Sequence, residues 1–293
     1  MQFTKVENNK NSAILKISAK DQKGLVAAVT QFIAKYEGNI IDLEQHVDDI
    51  DQEFFMRVEW CLDQFKLSTT ELESLFAEKI GQPFSMDWSI NYSTVIPKMA
   101  IFVSKMSHCL LDILSRYQSG ELRVDIPIII SNHQDLESIA KILKIEFVYL
   151  PITRENKQQQ EAKQLALLKD KKIDFIVLAR YMQILSEDFT AQYPNRVINI
   201  HHSFLPAFPG AKPYHSAHAR GVKLIGATSH FVTVDLDEGP IITQEVARVA
   251  HTDSIDDLVR KGRDLEKITL ARAIWHYVNH KILVWKNRTI VFR

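Results

Sequence analysis

The chain contains 293 residues, with 36 lysines and arginines against 36 aspartates and glutamates, so its formal net charge at pH 7 is zero. This length suffices for two domains with separate cores, and the balanced charge gives no electrostatic basis for binding nucleic acid or an acidic membrane surface. The longest apolar runs are strand-sized and only two cysteines occur. We therefore expect a soluble, cytoplasmic protein without a transmembrane helix, a secretory signal or a disulfide framework.

The first 93 residues predict a small α/β domain. Alternating apolar residues mark its strands and a 3.6-residue apolar period marks its helices. The order βαββαβ is that of the ferredoxin-like plan. The predicted elements cover residues 13–18, 24–36, 39–47, 53–61, 69–80 and 84–92. Residues 48–51 suit a hairpin turn, and Ser68 is expected to cap the second helix.

Residues 94–98 predict a linker, and residues 99–293 predict a second domain. Strands and helices alternate along it, which is typical of a doubly wound, mostly parallel sheet. The predicted strands cover residues 99–103, 124–131, 147–150, 175–179, 196–200, 224–234 and 241–249, and the helices cover residues 109–117, 136–143, 155–169, 186–193 and 255–280. Residues 282–292 alternate like a terminal hairpin.

A dense group of polar side chains follows the predicted strand at residues 196–200. Asn199 and His201 share one face of the strand, so an amide and an imidazole can hold one carbonyl oxygen. Asp237, after the strand at residues 224–234, is the carboxylate that can orient the imidazole or a water. Taken alone, Asn199 could simply end the strand and His201 could be a buried structural histidine. The combined pattern favours an active site, because open α/β sheets carry their chemistry at strand ends.

This group contains no covalent nucleophile. The chain has no Gly-x-Ser-x-Gly elbow, and Cys61 and Cys109 lie in unrelated segments, so water or an amine must attack the carbonyl carbon. A metal mechanism is disfavoured, because His201 and His202 are adjacent in a strand and point to opposite faces. We therefore expect neither a metal nor a cofactor.

These residues resemble the formyltransferase family that uses 10-formyltetrahydrofolate. Asn199, His201 and Asp237 fall on the catalytic Asn-x-His and Asp positions of the family, and residues 237–241 match its Asp-x-Gly-Pro-Ile step. The similarity covers roughly residues 99–280. It implies that the folate substrate binds in a mostly apolar slot, for which the following residues are expected: Met182, Ile184, Leu185, Val197, His230 and Val232.

Within this family, residues 201–206 and 210–215 are most similar to the formyltetrahydrofolate deformylases. That resemblance implies a hydrolase of a linear amide C–N bond, which cleaves 10-formyltetrahydrofolate to formate and tetrahydrofolate. Such an enzyme supplies formate for purine biosynthesis and balances the one-carbon folate pool. The alternative is formyl transfer to an amine such as glycinamide ribonucleotide. Members that act on that amine hold its phosphate on a glycine-rich turn at a helix N-terminus, whereas residues 103–109 here contain no glycine.

The first domain resembles an ACT domain through residues 21–26 and 38–40. The resemblance implies an amino-acid effector, for which we expect contacts with five residues: Asp21, Gly24, Leu25, Asn39 and Ile40. A glycine at a strand-to-helix turn leaves helix N–H groups accessible to a small carboxylate. The alternative is that Gly24 only makes the turn and that the domain serves oligomerisation. A homo-oligomer, either a dimer or a tetramer, is expected.

Overall fold

A computed structural model of the chain describes residues 11–206 and 213–293. The molecule consists of two compact units that divide between Ile96 and Pro97. Of the described residues, one unit contains Pro97–Val278 and Val284–Thr289, and the other contains residues 11–96 together with Asn279–Leu283 and Ile290–Arg293. The single domain predicted for residues 99–293 therefore needs a correction, because two short pieces of it belong to the N-terminal unit. The amine of Lys16 donates to the carbonyl oxygen of Ile282 at 2.8 Å.

The N-terminal unit has the predicted ferredoxin-like order. Its elements are β1 (Ser12–Lys20), α1 (Leu25–Lys35), β2 (Asn39–Asp48), β3 (Glu53–Cys61), α2 (Thr69–Phe76) and β4 (Asp87–Tyr92). They form an antiparallel sheet in the order β2-β3-β1-β4. Apolar side chains from the sheet and both helices form the core, with Trp60 and Phe76 fully buried. This burial is the main stabilising term of the unit.

Local signals explain where the elements of this unit begin and end. The Ser68 hydroxyl accepts from the backbone N–H of Glu71, and the Glu71 carboxylate accepts from the backbone N–H of Ser68, which completes a capping box. The α-helix predicted to reach residue 80 ends at Phe76 instead, and a π-helical turn at Ala77–Gly81 follows it. The Asp48 carboxylate accepts two backbone N–H groups in the β2–β3 turn, which fixes the predicted hairpin.

The C-terminal unit contains a seven-stranded sheet with helices between its strands. Its strands are β5 (Lys98–Val103), β6 (Asp125–Ser131), β7 (Glu146–Tyr149), β8 (Phe175–Leu178), β9 (Val197–His201), β10 (Leu224–Phe231) and β11 (Ile241–Arg248). Its helices are α3 (His108–Ser119), α4 (Glu137–Ile142), α5 (Lys157–Asp170), α6 (Glu187–Gln192), α7 (Pro213–Arg220) and α8 (Ile255–Val278). The short strands β12 (Ile282–Trp285) and β13 (Arg288–Val291) form the predicted terminal hairpin. Helix α7 was not predicted.

The strand order of this sheet, β11-β10-β9-β8-β5-β6-β7, confirms a doubly wound α/β fold. The chain extends the sheet from β5 to β6 and β7 and then continues on the other side of β5 with β8 and β9, all in parallel. Strands β10 and β11 add to the far edge as antiparallel neighbours. The carboxyl ends of β8 and β9 therefore lie beside the point where the strand order reverses, which is where such folds bind ligands. In the described part of the chain, no helix combines the length and the apolarity that crossing a membrane requires.

Candidate active site

A cavity of about 440 Å³ opens at the carboxyl ends of β8 and β9. Its walls come from Leu178, residues 180–185, residues 199–202, His230 and residues 232–237. Sheet topology explains this convergence, because β8 and β9 are parallel neighbours and β10 pairs with β9 in antiparallel register. The structure thus brings the three predicted catalytic residues, Asn199, His201 and Asp237, into one cavity.

His201 and Asp237 form an ion pair in this cavity. The His201 Nδ1 atom lies 3.1 Å from Asp237 Oδ2, and the His201 side chain is 8% exposed. Since an imidazole whose Nδ1 faces a carboxylate carries its hydrogen on Nδ1, the reactive atom of the ring is Nε2. Among the described residues, Nε2 is buried and has no hydrogen-bond partner. A buried polar atom without a partner indicates a site for a ligand atom.

Asn199 lies directly opposite His230 across the β9–β10 pair. The His230 Nδ1 atom is 2.9 Å from the Phe231 carbonyl oxygen, so Nδ1 donates and Nε2 is left to accept. The Asn199 amide nitrogen lies 3.2 Å from this Nε2 and donates one of its hydrogens to it. His230 therefore fixes the orientation of the amide, whose second hydrogen is available for a different acceptor.

Asp237 is held in place by an unusual backbone. Its φ angle is 57°, which is the left-handed region that non-glycine residues rarely adopt. Close packing fixes the loop, since a Cβ atom at Gly239 would overlap the carbonyl oxygen of Phe231, and the backbone N–H of Phe231 donates to the carbonyl oxygen of Pro240 at 2.9 Å. This packing explains the Asp-x-Gly-Pro motif. Strained backbone of this kind concentrates at functional sites.

The electrostatics of the cavity favour an ionised Asp237. Hydrogen bonding to His201, with a further contribution from His230, holds the pKa of the Asp237 carboxyl well below the ordinary value of an aspartate. His230 Nε2 lies 3.5 Å from Asp237 Oδ1 but accepts from Asn199 in the tautomer described above. We therefore attribute the low pKa of Asp237 mainly to His201. At neutral pH this carboxylate is a stable anion and a poor proton acceptor on its own.

The predicted folate slot has an apolar wall in the structure. Five of the residues expected in that slot line the cavity: Met182, Ile184, Leu185, Val232 and His230. Val197 does not. It shares the strand face of Asn199 and His201 but is fully buried in the core cluster beneath the cavity, so its assignment to the substrate wall is wrong.

Sequence reasoning missed two further apolar residues of this wall, Val234 and Leu236. They line the cavity together with Met182 and Ile184, and each of these four side chains is more than half exposed. A group of exposed apolar side chains around a cavity indicates a surface that a ligand covers. The signal is the alternation of apolar residues at positions 232, 234 and 236, and the strand predicted for residues 224–234 ends before Leu236.

The turn after β5 has a structural role. The Ser104 hydroxyl donates to Asn132 Oδ1 at 2.6 Å and accepts from the backbone N–H of Met182 at 3.1 Å. This glycine-free turn therefore braces the segment that carries the apolar wall. Asn132 is the buried partner of Ser104, and α4 begins after Leu136.

The sequence also missed a buried charged group next to the cavity, which we call the Glu266 cluster. It consists of Glu266 on α8, His108 on α3, Arg180 after β8 and Tyr214 on α7. His108, Cys109 and Glu266 place possible metal-ligand atoms within 4.8 Å of one another. Two features disfavour a cation there. The guanidinium of Arg180 lies 3.4 Å from the Glu266 carboxylate, and burial raises the pKa of the Cys109 thiol.

The residues predicted to bind an effector lie in two separate places. Gly24 precedes α1 with φ of 95°, and Asp21 is exposed just after β1. Asn39 and Ile40 begin β2, and Asn39 is level with the start of β1, because both Asn39 and Ser12 pair with Cys61. The nine residues of β1, about 30 Å of strand, separate the two groups. The structure therefore does not bring them together within one chain.

Leu25 needs a similar correction. Its side chain is buried in the core of the N-terminal unit and can contact no ligand. Only its backbone N–H, at the first turn of α1, is in a position to do so.

Comparisons with known proteins agree with this geometry. The formyl transferase family matches residues 97–274, and the ACT domain family matches residues 13–76. A formyltetrahydrofolate deformylase from Synechocystis sp. is 57% identical over 96% of this chain and 98% of its own length. One from Bacillus subtilis is 44% identical over 98% of this chain and 95% of its own length.

A solved structure extends the similarity to the whole fold. The crystal structure of a formyltetrahydrofolate deformylase from Pseudomonas syringae pv. tomato superimposes with a TM-score of 0.95 at 43% identity, and covers 98% of this chain and 96% of that one. The resemblances inferred from the motifs are thereby confirmed. The chain belongs to the formyl transferase family and, within it, to the formyltetrahydrofolate deformylase family, with an N-terminal ACT domain.

Proposed function

We propose that the chain hydrolyses 10-formyltetrahydrofolate to formate and tetrahydrofolate. Its relatives are named formyltetrahydrofolate deformylases, which supports this reaction. The observation that carries this proposal is the buried Nε2 atom of His201, which has no partner among residues 11–206 and 213–293 and whose Nδ1 is paired with Asp237 in a cavity with an apolar wall. In its protonated form such an imidazole can donate from Nε2 to an oxygen that gains negative charge. Formate released in this way would supply purine biosynthesis and balance the one-carbon folate pool.

In the first step the pterin lies on the apolar wall and the formyl oxygen faces Asn199 and His201. His201 donates from Nε2 in its imidazolium form, and Asn199 donates the amide hydrogen that His230 does not use. Both bonds strengthen as water attacks and the oxygen becomes an oxyanion. Each donor of this kind contributes about 3–4 kcal/mol to the stability of the transition state.

Asp237 acts as the counter-ion of the His201 imidazolium and as the hydrogen-bond acceptor that orients the water. Its low pKa makes it unsuitable as the final holder of the water proton. That proton is passed through these groups to N10, the bond between the formyl carbon and N10 breaks, and formic acid ionises on release. The active site regains its starting protonation in each turnover.

No step of this mechanism uses a cofactor, a metal or a covalent intermediate, and we propose that none takes part. Cys109 lies on α3 and Cys61 on β3 of the other unit, so neither lines the cavity. We also propose that the protein is cytoplasmic, as expected from the sequence, and that it binds neither nucleic acid nor a membrane.

The test is a formate-release assay with 10-formyltetrahydrofolate, run with and without glycinamide ribonucleotide. We expect stoichiometric formate and tetrahydrofolate at a rate that the ribonucleotide leaves unchanged. Formylated ribonucleotide in place of formate would assign the chain to the alternative, formyl transfer. Release of neither product would reject both reactions.

For the ACT domain we propose an amino-acid effector that binds the N-terminal end of α1, beside Asp21 and Gly24. The left-handed φ of Gly24 and the open space at its Cα support this, since no atom of the described residues lies within 4 Å of the position that a Cβ would take. We also propose a homo-oligomer, because β2, at one end of the strand order, is available for pairing. In an oligomer, Asn39 and Ile40 could meet Gly24 of a second copy.

Calorimetry against a panel of amino acids tests the effector, and size measurement by light scattering tests the oligomer. At least one amino acid should bind to the intact chain, with affinity at least about tenfold lower in Asp21→Ala. Glu37→Ala, which lies at the other end of α1 in a surface ion pair, is the matched control and should bind normally. A monomeric chain that binds no amino acid would contradict both proposals.

A further inference from the structure

Both oxygens of the Glu266 carboxylate are used by side chains of the C-terminal unit. Oε1 accepts from the Tyr214 hydroxyl at 3.0 Å. Oε2 lies 2.7 Å from His108 Nε2 and 3.4 Å from Arg180 Nε. The Glu266 side chain is only 2% exposed. Both oxygens of this buried carboxylate are therefore already paired.

The Glu266 cluster adjoins the reacting groups. Arg180 and His202 both line the cavity that holds His201. The ring centroid of His202 lies 5.1 Å from that of His201 and 6.2 Å from that of Tyr214. Tyr214 in turn bonds Glu266. Arg180 therefore joins the Glu266 cluster to the cavity, and His202 lies beside both His201 and Tyr214.

The backbone conformation at position 180 is unfavourable for an arginine. Its φ angle is 63°, a left-handed value that favours glycine. The side chain is nonetheless 12% exposed and directed to Glu266. A residue that keeps a long charged side chain on an unfavourable backbone, next to an active site, points to a function for that side chain.

We propose that Arg180 determines the acceptor of the reaction: by pairing with Glu266 and lining the cavity, it excludes primary amines and leaves water as the acceptor. An amine arrives in water as an ammonium ion, which needs a carboxylate to bind it and to lower the cost of its desolvation. Asp237, which lines the cavity, is already paired with His201, and Glu266, which contacts Arg180, is already paired as well. The guanidinium of Arg180 also repels an approaching ammonium. Water is neutral, so it needs no carboxylate to bind it and the guanidinium does not repel it.

This proposal rests on the proposed hydrolysis and adds the specificity of its acceptor. When an amine replaces water, the bond between the formyl carbon and N10 breaks and a bond between the formyl carbon and the amine nitrogen forms. The amine loses one proton and N10 gains one, so the products are a formamide and tetrahydrofolate. No oxidant, reductant or other reactant is required.

The experiment uses the full chain, 10-formyltetrahydrofolate and glycinamide as the amine probe. Formate and N-formylglycinamide are both measured by mass spectrometry in the wild type, Arg180→Gly, Arg180→Lys and the double variant Arg180→Gly/Glu266→Gln. Glycine suits the left-handed backbone, so Arg180→Gly removes the guanidinium without adding strain. Lysine keeps the charge and is the matched control.

We expect the ratio of N-formylglycinamide to formate to rise at least about tenfold in Arg180→Gly. It should stay at the wild-type value in Arg180→Lys, because the positive charge remains. It should return toward that value in the double variant, because the carboxylate that binds the ammonium is gone. This ratio reports the choice of acceptor and is insensitive to a general loss of folded enzyme.

An unchanged ratio in Arg180→Gly would overturn the proposal, as would a folded Arg180→Gly that forms neither product. If Arg180→Gly does not fold, Arg180→Asn takes its place, since asparagine also tolerates this backbone; failure of both to fold would make Arg180 a structural residue and reject the proposal. A wild type that releases no formate would instead refute the proposed hydrolysis, so the two failures are distinguishable.

Discussion

Two carboxylates of the C-terminal unit each pair with a histidine, but their surroundings differ. Asp237 lies on a loop, its side chain is 21% exposed, and it contacts His201 and His230. Glu266 lies within α8, its side chain is 2% exposed, and three other side chains surround it. In the part of the chain that the structure describes, the first group leaves the Nε2 atom of His201 without a partner, whereas in the second group both oxygens of the carboxylate have partners.

The difference follows from the two roles: the Asp237 group takes part in the reaction, whereas the Glu266 group shapes the cavity. A reactive group must keep one polar atom unpaired until the substrate binds. That arrangement costs free energy, and the strained loop around it is part of this cost. A buried group that only shapes the cavity must be satisfied, because any unpaired charge would cost several kcal/mol. Burial works to raise the pKa of Glu266, but the hydrogen bond from His108 and the charge of Arg180 outweigh it and lower that pKa. The Glu266 cluster is therefore held together by charge.

The largest effect that we expect is on stability. Glu266→Gln removes the charge that Arg180 and His108 require, so the free energy of unfolding should fall by about 3–5 kcal/mol in a denaturant titration. Glu137→Gln, which breaks a surface pair with Lys141, is the control and should cost at most about 1 kcal/mol. Adding Arg180→Gly to Glu266→Gln should restore part of the loss, since both charges are then removed. If Glu266→Gln and Glu137→Gln lowered the free energy of unfolding equally, the Glu266 cluster would not be held together by charge.

The next effect is on turnover. Asp237→Asn, His201→Ala and Asn199→Ala should each lower kcat at least about a hundredfold while folate binding persists, because these groups act mainly in the transition state. Glu238→Gln, adjacent to Asp237 but exposed, is the matched control and should turn over normally. Steady-state kinetics with fluorescence titration of folate binding separates the two effects. A variant with normal turnover would remove that residue from the mechanism.

The smallest effect concerns pH. Burial lowers the pKa of His202 to about 4, with the charges of Arg180 and His201 acting in the same direction and those of Glu266 and Asp237 opposing it. The folded protein therefore keeps His202 neutral at a pH where the unfolded chain, with a histidine pKa near 6.5, binds a proton. Stability should rise with pH between about 4 and 6.5, and the contribution of His202 at pH 5 should be about 2 kcal/mol below that at pH 7.

His202→Gln tests this dependence, because glutamine does not titrate in that window. Thermal unfolding between pH 4.5 and 7.5 should show a flatter pH dependence in His202→Gln than in the wild type. His280, whose pKa burial also lowers to about 4, provides the comparison in the N-terminal unit, since His280→Gln should flatten the curve without affecting the active site. Parallel curves for the wild type and His202→Gln would contradict the buried, neutral state of His202.

Much of the fold and of the site followed from local patterns. Strand alternation and helix periodicity are properties of neighbouring residues, so both domains and most element positions could be predicted. Asn199 and His201 sit two residues apart on one strand, and Asp237 belongs to a motif with fixed spacing. These residues were recognisable for that reason, and the structure places all three in one cavity.

The Glu266 cluster could not be predicted in the same way. Its members come from α3, α7, α8 and the loop after β8, and no sequence interval relates them. From the sequence alone, a charged residue on a helix is expected on the solvent-exposed face, because the packing of the helix is not known. The buried position of Val197 and the separation of Asn39 from Gly24 have the same origin, because both depend on strand pairing that spacing alone does not give.

The pairing of β9 with β10 has a consequence for how the family can change in length. Asn199 meets His230 only because the two strands are in one register, and that register shifts on the β11 side between Ser229 and His230. A single residue inserted into or deleted from β9 would turn its side chains to the opposite face. Length variation among relatives should therefore collect in surface connections such as the β12–β13 turn, while β9 and β10 keep an invariant residue count.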